Sequence, residues 1–583
     1  MSRQRILSSP VRPTLWGASC LLGLLAVSCG GGDSADGSAA PAATASQPTA
    51  AKAENKGKGK GKAKQQALPK LSAANPAGAR PEGIELPPDD PILGPALVIN
   101  GEVVPHDEVR RQVIYGDRGR AAMETKKLSL IVEQEIARRV AEGADREAFR
   151  VSEAEAQKAI DETNEELKET YPDDEMRLED LAPVGPDGIL SQVMLSKLFM
   201  KVFMPDGHPS EYPVTTVAAF NNSKEGQDLY NALIKEYELQ KDNDRELNPM
   251  FQQMVFQTLN EFLQETSDIR VGGGLPDGIA LSVNGQEVSI QEMWDGIKDN
   301  VSISDVRYAK QWIVNMKLLE QDFGGDWLSE QEALEAWNEH AAAYENTMFP
   351  VDRMALLIKK FPSMQAYKDF RHAYSTHHKR IASELDAETL RNFANERTKL
   401  LIGQTQVDVD IILVSAYDFK SRRWLPNGWE DATARTEELL QRLRDGEIDW
   451  NEAVEQYSGF YDPPIPANGN VPANMRKAKG RFRGKTRNGL MQMIEESEYL
   501  QFLNGELISD YIFFRQEEGK VDGPFRGPYG WYVSLLRRRN VAPNNINMPE
   551  EKLIEMAEQD YTITSLSRYA QELIGRNQVY GLQ

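Results

Sequence analysis

Along Met123–Ala144 the apolar side chains recur three and four residues apart, so that Leu128, Ile131, Val132 and Ile136 share one helical face. The same spacing returns in Arg307–Gln321 with Trp312, Ile313, Met316 and Leu319. Comparable periodicity predicts helices near 152–169, 188–203, 224–240, 249–266, 329–345, 363–382 and 386–402. Pro183–Gly188 and Val271–Gly278 read as loops between them, and the second marks a domain boundary. The texture changes at Val407. VDVDIILVS (Val407–Ser415) is a β-branched run that predicts a strand. Two helices broken at Gly446 follow over Ala432–Ser458, then a Gly/Pro/Arg-rich stretch to about Arg487 and a helical segment to about Gln501. A short aromatic strand lies in GPFRGPYGWYVSLLRRR (Gly523–Arg539), and an amphipathic helix runs from Pro549 to Arg576. The fold class expected from this order is α+β and predominantly helical.

A weak internal repeat runs beneath the helices. ALVINGEVVPHDEV (Ala96–Val109) matches ALSVNGQEVSIQEM (Ala280–Met293) at Ala96/Ala280, Leu97/Leu281, Asn100/Asn284, Gly101/Gly285, Val104/Val288 and Glu108/Glu292. Each copy reads as a strand, an Asn-Gly turn, a second strand and a helix start.

Length and charge narrow the function. The chain has 583 residues, enough for several domains, and its formal charge of −22 excludes nucleic-acid binding by the molecule as a whole. Its two cysteines, Cys20 and Cys29, lie near the N-terminus, which rules out a disulfide framework, zinc knuckle or cysteine nucleophile in the body and suits an oxidising compartment. Arg3, Arg5 and Arg12 precede an apolar run, Leu15–Val27, that is short for a membrane span. Ala26-Val27-Ser28 before Cys29 resembles a bacterial lipobox, which implies lipid attachment at Cys29; Gly30 after it, rather than Asp, resembles the outer-membrane default. A plain signal peptide cut elsewhere is the bland alternative. Residues 30 to 92 are dominated by Gly, Ala, Ser, Pro and Lys, a composition expected to form a disordered tether. Its KGKGKGKAK (Lys56–Lys64) reads as a solvated spacer, or as a cationic contact to anionic lipid.

Several chemical motifs fail on their spacing. GRFRGKT (Gly480–Thr486) has three residues between its glycines where a phosphate loop needs four, and no apolar strand precedes it. The basic run Arg476–Arg487 reads as a solvated loop or an acidic-partner contact. His372, His377 and His378 do not share a helical face at i, i+4, so no metal is expected there. Asp408 and Asp410 alternate onto one strand face, read as a solvent-facing edge.

The strand ending IILV (Ile411–Val414), the segment LLQRLRDGEIDWNEAVEQYS and the segment FFRQEEGKVDGPFRGPYGWYVSLL (Phe513–Leu536) together resemble the parvulin peptidyl-prolyl isomerase domain. Phe514, Gly519, Gly523, Pro524 and Gly530 fall in register with it. The Asn-Gly hairpins leading into long helices resemble the N-terminal chaperone domain of SurA-like foldases, and lipid-anchored PrsA-like foldases share the plan. The resemblance implies a signal peptide over 1–29, a tether over 30–92, helical chaperone-like regions over 93–272 and 278–404, a small parvulin-like domain (an antiparallel sheet with helices) over 405–540, and a closing C-terminal helix over 541–583.

Carried over residue by residue, the family's chemistry is lost. The two histidine positions fall on Ile411 and Tyr532, and the Asp/Cys position falls on Phe460, with Asp462 nearby. One aromatic of the proline cup is kept as Phe514, the other falls on Ser509, and a threonine position falls on Gly527. Lys420, Arg422 and Arg423 stand where phospho-dependent relatives carry a basic loop. The barrier to prolyl isomerisation is amide resonance, which an isomerase lowers by binding the twisted amide better than the planar one. Apolar side chains offer no such differential. Ile411, Phe460, Phe514 and Tyr532 would instead line an apolar groove for extended peptide, or pack as ordinary core. The resemblance therefore implies an envelope chaperone, lipid-anchored on the periplasmic face of the outer membrane, binding unfolded exported polypeptides. No cofactor, metal, nucleotide or nucleic acid is expected. An active isomerase using Tyr532 and Asp462, and a structural lipoprotein joining an envelope complex, are the alternatives.

Overall fold

The computed structural model describes residues 81, 83–170, 186–203, 260, 263–264, 267–272, 275–344, 350–402, 405–418, 423–459, 480–541 and 548–582. Each Asn-Gly pair makes a two-residue hairpin turn. Asn100 and Gly101 have φ of 51° and 86°, and Asn284 and Gly285 have 51° and 81°, the left-handed pair that such a turn requires. The first turn joins β1 (Leu97–Ile99) to β2 (Glu102–Val104), followed by α1 (His106–Ile114), α2 (Asp117–Ala141), α3 (Glu153–Thr170) and α4 (Pro186–Phe203). The expected loop at Pro183–Gly188 is thus already helix from Pro186, because proline's missing N–H costs nothing in a first turn. The second turn joins β4 (Ile279–Val283), which β3 (Ile269–Val271) precedes, to β5 (Gln286–Ser289). Then come α5 (Ile290–Ile297), α6 (Ile303–Phe323), α7 (Glu330–Ala342), α8 (Met364–Ile381) and α9 (Ala387–Phe393). Reciprocal Ser/acid capping boxes start α6 (Ser302, Asp305) and α7 (Ser329, Glu332). The helices expected near 224–240 and 249–266 fall almost wholly outside the described residues.

The two repeats are interlocked. The β4–β5 hairpin is completed by β3, while β1–β2 is completed by β12 (Val579–Tyr580) from the far end of the chain. The joints are built alike. Asn284 donates its N–H to Asp268 O, and its side-chain oxygen accepts from Asp268 N, at 2.8 Å each. Asn100 makes the same pair with Gln578, at 2.8 and 3.2 Å. Each Asn then reaches a helix of the other repeat, Asn100 to Gln321 of α6 and Asn284 to Gln134 of α2. Buried side chains repeat the exchange. Tyr115, after α1, donates to Ala280 O and accepts from Gly272 N. Lys310, in α6, donates to Pro95 O and Gly581 O at 2.8 Å each. The regions expected at 93–272 and 278–404 consequently share one hydrophobic core, which holds Leu97, Ile99, Leu281, Val283, Trp312 and Phe370 together.

The region after residue 405 is built on a four-stranded antiparallel sheet in the order β10-β11-β6-β9. Its strands are β6 (Gln406–Ser415), β9 (Arg481–Lys485), β10 (Val521–Arg526) and β11 (Gly530–Asn540). A small ladder of β7 (Tyr417–Asp418) and β8 (Arg423–Trp424) follows β6. The period of two sorts the side chains. Ile412 and Val414 of β6, with Trp531, Val533 and Leu535 of β11, pack beneath α10 (Gly428–Asp445) and α11 (Trp450–Tyr457). Val407, Val409, Ile411 and Leu413 face the opposite layer with Tyr532 and Leu536. That layer is covered by α12 (Arg487–Met493) and by the turns over Ile508–Arg515. Between them α13 (Glu498–Asn504) leaves the sheet and enters the shared helical core, where Phe502 and Tyr499 lie 5.3 and 5.6 Å from Trp312. The closing helix α14 (Glu550–Arg576) buries Leu566, Ala570 and Leu573 in that same core.

Two readings change here. The Arg-rich stretch at 480–487 contains the edge strand β9, whose basic side chains suit an unpaired edge. Asp410 is not on a solvent-facing edge: β6 lies between β11 and β9, and Asp410 is buried in ion pairs with Arg483 and Arg537. The protein is predominantly helical α+β, with small antiparallel sheets.

Candidate functional site

Ile411 and Tyr532 lie on hydrogen-bonded neighbours in the same layer. Tyr532 pairs with Leu413 and Ile411 with Ser534, so the two are diagonal partners across the β6–β11 ladder. Both are interior, at 0% and 1% exposure. A peptide reaching either side chain has to displace the layer above. Phe514 is half-buried, with the Arg397 guanidinium 4.3 Å from its ring centroid and the Phe513 ring at 5.1 Å. Phe460, Asp462, Lys420 and Arg422 lie outside the described residues, as does Cys29. The chain just before Phe460 runs along the sheet, where Gly459 donates to Leu413 O.

Tyr532 and Gly527 fit one another sterically. The Tyr532 ring fills the space above Gly527: a Cβ at Gly527 would come within 2.2 Å of it. Gly523, at φ +124° in the bulge between Asp522 and Phe525, lets the chain pass close to Tyr532 O, and its peptide bond to Pro524 is cis. Where the cup would carry a second aromatic, Ser509 is fully buried, and its backbone N–H donates to the Glu496 carboxylate. Ser534 and Gln516, buried in the same region, satisfy each other. Ser534 Oγ donates to Gln516 Oε1, and Gln516 Nε2 donates to Ser534 O and Lys520 O.

Carboxylates ring this core, and among the described residues none of Glu495, Glu496 and Asp510 is without a partner. Glu496 accepts from Ile508 N at 2.7 Å and Ser509 N at 2.9 Å, capping the turn that covers the site. Burial pushes its pKa up to about 7 against the pull of these donors. Glu495 accepts a short hydrogen bond from Tyr529. Burial, then Glu495 and Glu496, push the Tyr532 phenol well above its usual range, so it stays protonated. Burial works against the Asp510 carboxylate, but Arg487 at 2.5 Å and Arg397 at 2.7 Å outweigh it and hold its pKa low. Glu495, Glu496, Gln516, Ser534 and Arg397 were not legible as site neighbours; their only signal is a polar residue set among apolar ones.

The Glu496 geometry carries a pH signature. Its folded pKa lies above the unfolded value, so its contribution is present below about pH 4.5 and lost as pH rises towards 7. Burial lowers His340 to about 3 and His377 to about 4, and these act in the opposite sense, losing stability as pH falls below 6.5. Glu496→Gln should remove only the first term. Its urea midpoint, relative to the native chain, is expected to rise between pH 5 and pH 7.5; an unchanged difference would exclude a raised Glu496 pKa.

The three histidines of α8 have structural partners. His372 pairs with Leu328 O, His377 with Ser565 and His378 with Glu558. Among the described residues no group of three or more His, Cys, Asp or Glu could hold a metal ion, and no helix is long and apolar enough to cross a membrane.

No family model matches the chain, and no curated protein does. Solved structures similar to it include the foldase protein PrsA from Streptococcus pneumoniae, at 14% identity over 52% of this chain and 91% of that one, with a TM-score of 0.19. PrsA from Bacillus subtilis is similar at 15% identity over 49% and 88%, with a TM-score of 0.15.

Proposed function

We propose that the protein is a parvulin-type foldase without isomerase chemistry, an envelope chaperone that holds unfolded exported polypeptides. The observation that carries this reading is the isomerase-like sheet whose two histidine positions are Ile411 and Tyr532, both sealed in the core. Catalysis needs groups that bind the twisted amide better than the planar one, and a protonated phenol with an aliphatic partner offers none at these positions. Holding needs only accessible apolar surface. The helical region supplies exposed Ile303, Leu334, Leu357 and Ile358, on and beside α6, α7 and α8. Client segments bind there, and the sheet unit, fixed into the same core by α13, serves as a rigid part of the scaffold. Cys29 and the apolar run before it support a lipid anchor at the envelope, with the 30–92 segment as its tether.

Two assays on the full chain test this. Aggregation of a diluted, unfolded outer-membrane protein is expected to be suppressed near stoichiometry. Cis-trans relaxation of a proline peptide is expected to keep its uncatalysed rate. Isomerisation at the level of an intact parvulin would overturn the non-catalytic reading, and unchanged aggregation at excess protein would leave a structural lipoprotein. Cys29→Ala is expected to release the protein from the membrane fraction.

A further inference from the structure

The chain is strongly acidic, and its buried cations are mostly tied to carboxylates: Lys359 to Glu498, and Arg397 and Arg487 to Asp510. Arg526 and Arg307 are among the guanidinium groups that depart from this. Arg526 ends β10, its guanidinium 4.3 Å from the Trp429 ring centroid and 5.8 Å from that of Trp531. The Trp531 ring is itself anchored, its Nε1 donating to Thr433 at 2.9 Å. Stacking occupies the faces of a guanidinium and leaves its in-plane N–H donors unused. One of these, Arg526 Nε, is buried with no acceptor. Arg307, in the second turn of α6, approaches from the helical region. Burial and the Arg307 charge together push the Arg526 pKa down to about 9. Neither arginine forms an ion pair with a described carboxylate, and both keep part of their surface open to solvent.

Two like charges brought together and partly desolvated are costly unless something negative joins them. In a chain with a net charge of −22, carboxylates to neutralise them are plentiful, yet among the described residues none pairs with either arginine. We propose that Arg307 and Arg526 form a carboxylate-binding site at the junction of the helical region and the isomerase-like sheet. Resting on the chaperone reading, its ligand is an Asp or Glu side chain, or the terminal carboxylate, of an extended client. The planar fork of Arg526 suits a two-oxygen acceptor, and Arg307 adds a second positive charge. The site lies one residue from Gly527 and the Tyr532 ring, so a client held there would cross the rim of the sealed proline site without entering it.

The test uses the full chain and a fluorescent, extended apolar peptide with a central Glu, beside the same peptide with Gln. At low ionic strength the Glu peptide is expected to bind about tenfold more tightly, as one charge-assisted contact gives. That preference should vanish in Arg307→Gln and in Arg526→Gln, and be partly kept in Arg526→Lys. Equal affinity of the two peptides for the native chain, or a preference that survives both Gln variants, would overturn the site. If neither peptide binds, the chaperone reading fails and inorganic phosphate decides the site by itself. At constant ionic strength, phosphate replacing chloride must raise the melting temperature of the native chain and of neither Gln variant; no rise overturns the site. A lower melting temperature in Arg526→Gln, with no ligand dependence anywhere, would reduce Arg526 to a stacking role.

Discussion

Asp510→Ala is expected to cost about 3–5 kcal/mol in urea unfolding at neutral pH, the range for removing one partner of a buried ion pair. Asp510 is 1% exposed and sits between Arg487 of α12 and Arg397, which lies just beyond α9. Arg397 also reaches Asp560 of α14 at 2.8 Å and covers Phe514. The carboxylate therefore joins the sheet unit, the helical region and the closing helix at one point, and its loss strands the Arg487 guanidinium and leaves Arg397 with Asp560 alone. Asp560 is more exposed, so Asp560→Ala should cost only about 1 kcal/mol. The double variant should cost more than the sum, because Arg397 then has neither partner. Additive costs, or an Asp510→Ala cost below that of Asp560→Ala, would show that the network does not join the three parts. The lowered Asp510 pKa adds a sign: its contribution is present above the unfolded carboxylate range and is lost as pH falls through the folded value, so the variant should lose part of the native chain's acid sensitivity.

What the sequence made legible was local. Leu128, Ile131, Val132 and Ile136 announce α2 because helical periodicity needs no partner, and Asn-Gly announces both hairpins because few other pairs tolerate two left-handed residues. Edge and exchange features were not legible. RFRGK has no apolar alternation, since an edge strand is charged on purpose, and Val579–Tyr580 is too short to register as a strand. Nothing in Asn100 or Asn284 says that one is met by Asp268 and the other by Gln578, hundreds of residues away. The candidate site divides in the same way. That the strands carrying Ile411 and Tyr532 belong to one sheet follows from motif order, and they do pair, with Gly530, Trp531 and Tyr532 opposite Ser415, Val414 and Leu413. Its closure does not follow, because it depends on Glu496 capping Ile508 and Ser509 and on Arg397 arriving from another region to cover Phe514.

Tyr532→Ala is expected to cost about 3–5 kcal/mol, the price of a large cavity where an aromatic ring was fully buried. The cavity cannot close from the nearest side, since Gly527 has no side chain to fill it. The converse change, Gly527→Thr, should be destabilising alone, because its Cβ would meet the Tyr532 ring backbone-close and that ring is held between Leu413 and Phe525. Tyr532→His joined to Gly527→Thr places the parvulin residues at both positions, and the smaller ring gives up the Cε2 and Cζ atoms that the new Cβ would meet. The pair should therefore be much less destabilising than the sum of the two single changes, a coupling readable in a double-mutant cycle. Simple additivity would show that the ring does not occupy the glycine's space. Adding Ile411→His supplies both histidines of the parvulin pattern, yet the triple variant should still leave proline isomerisation at its uncatalysed rate. The imidazoles would lie beneath the turn that Glu496 caps, and Ser509 would still offer no aromatic wall to hold a proline ring. Catalysis appearing in that variant would mean that the two histidines alone had been missing, and that the covering layer opens readily enough to admit a peptide.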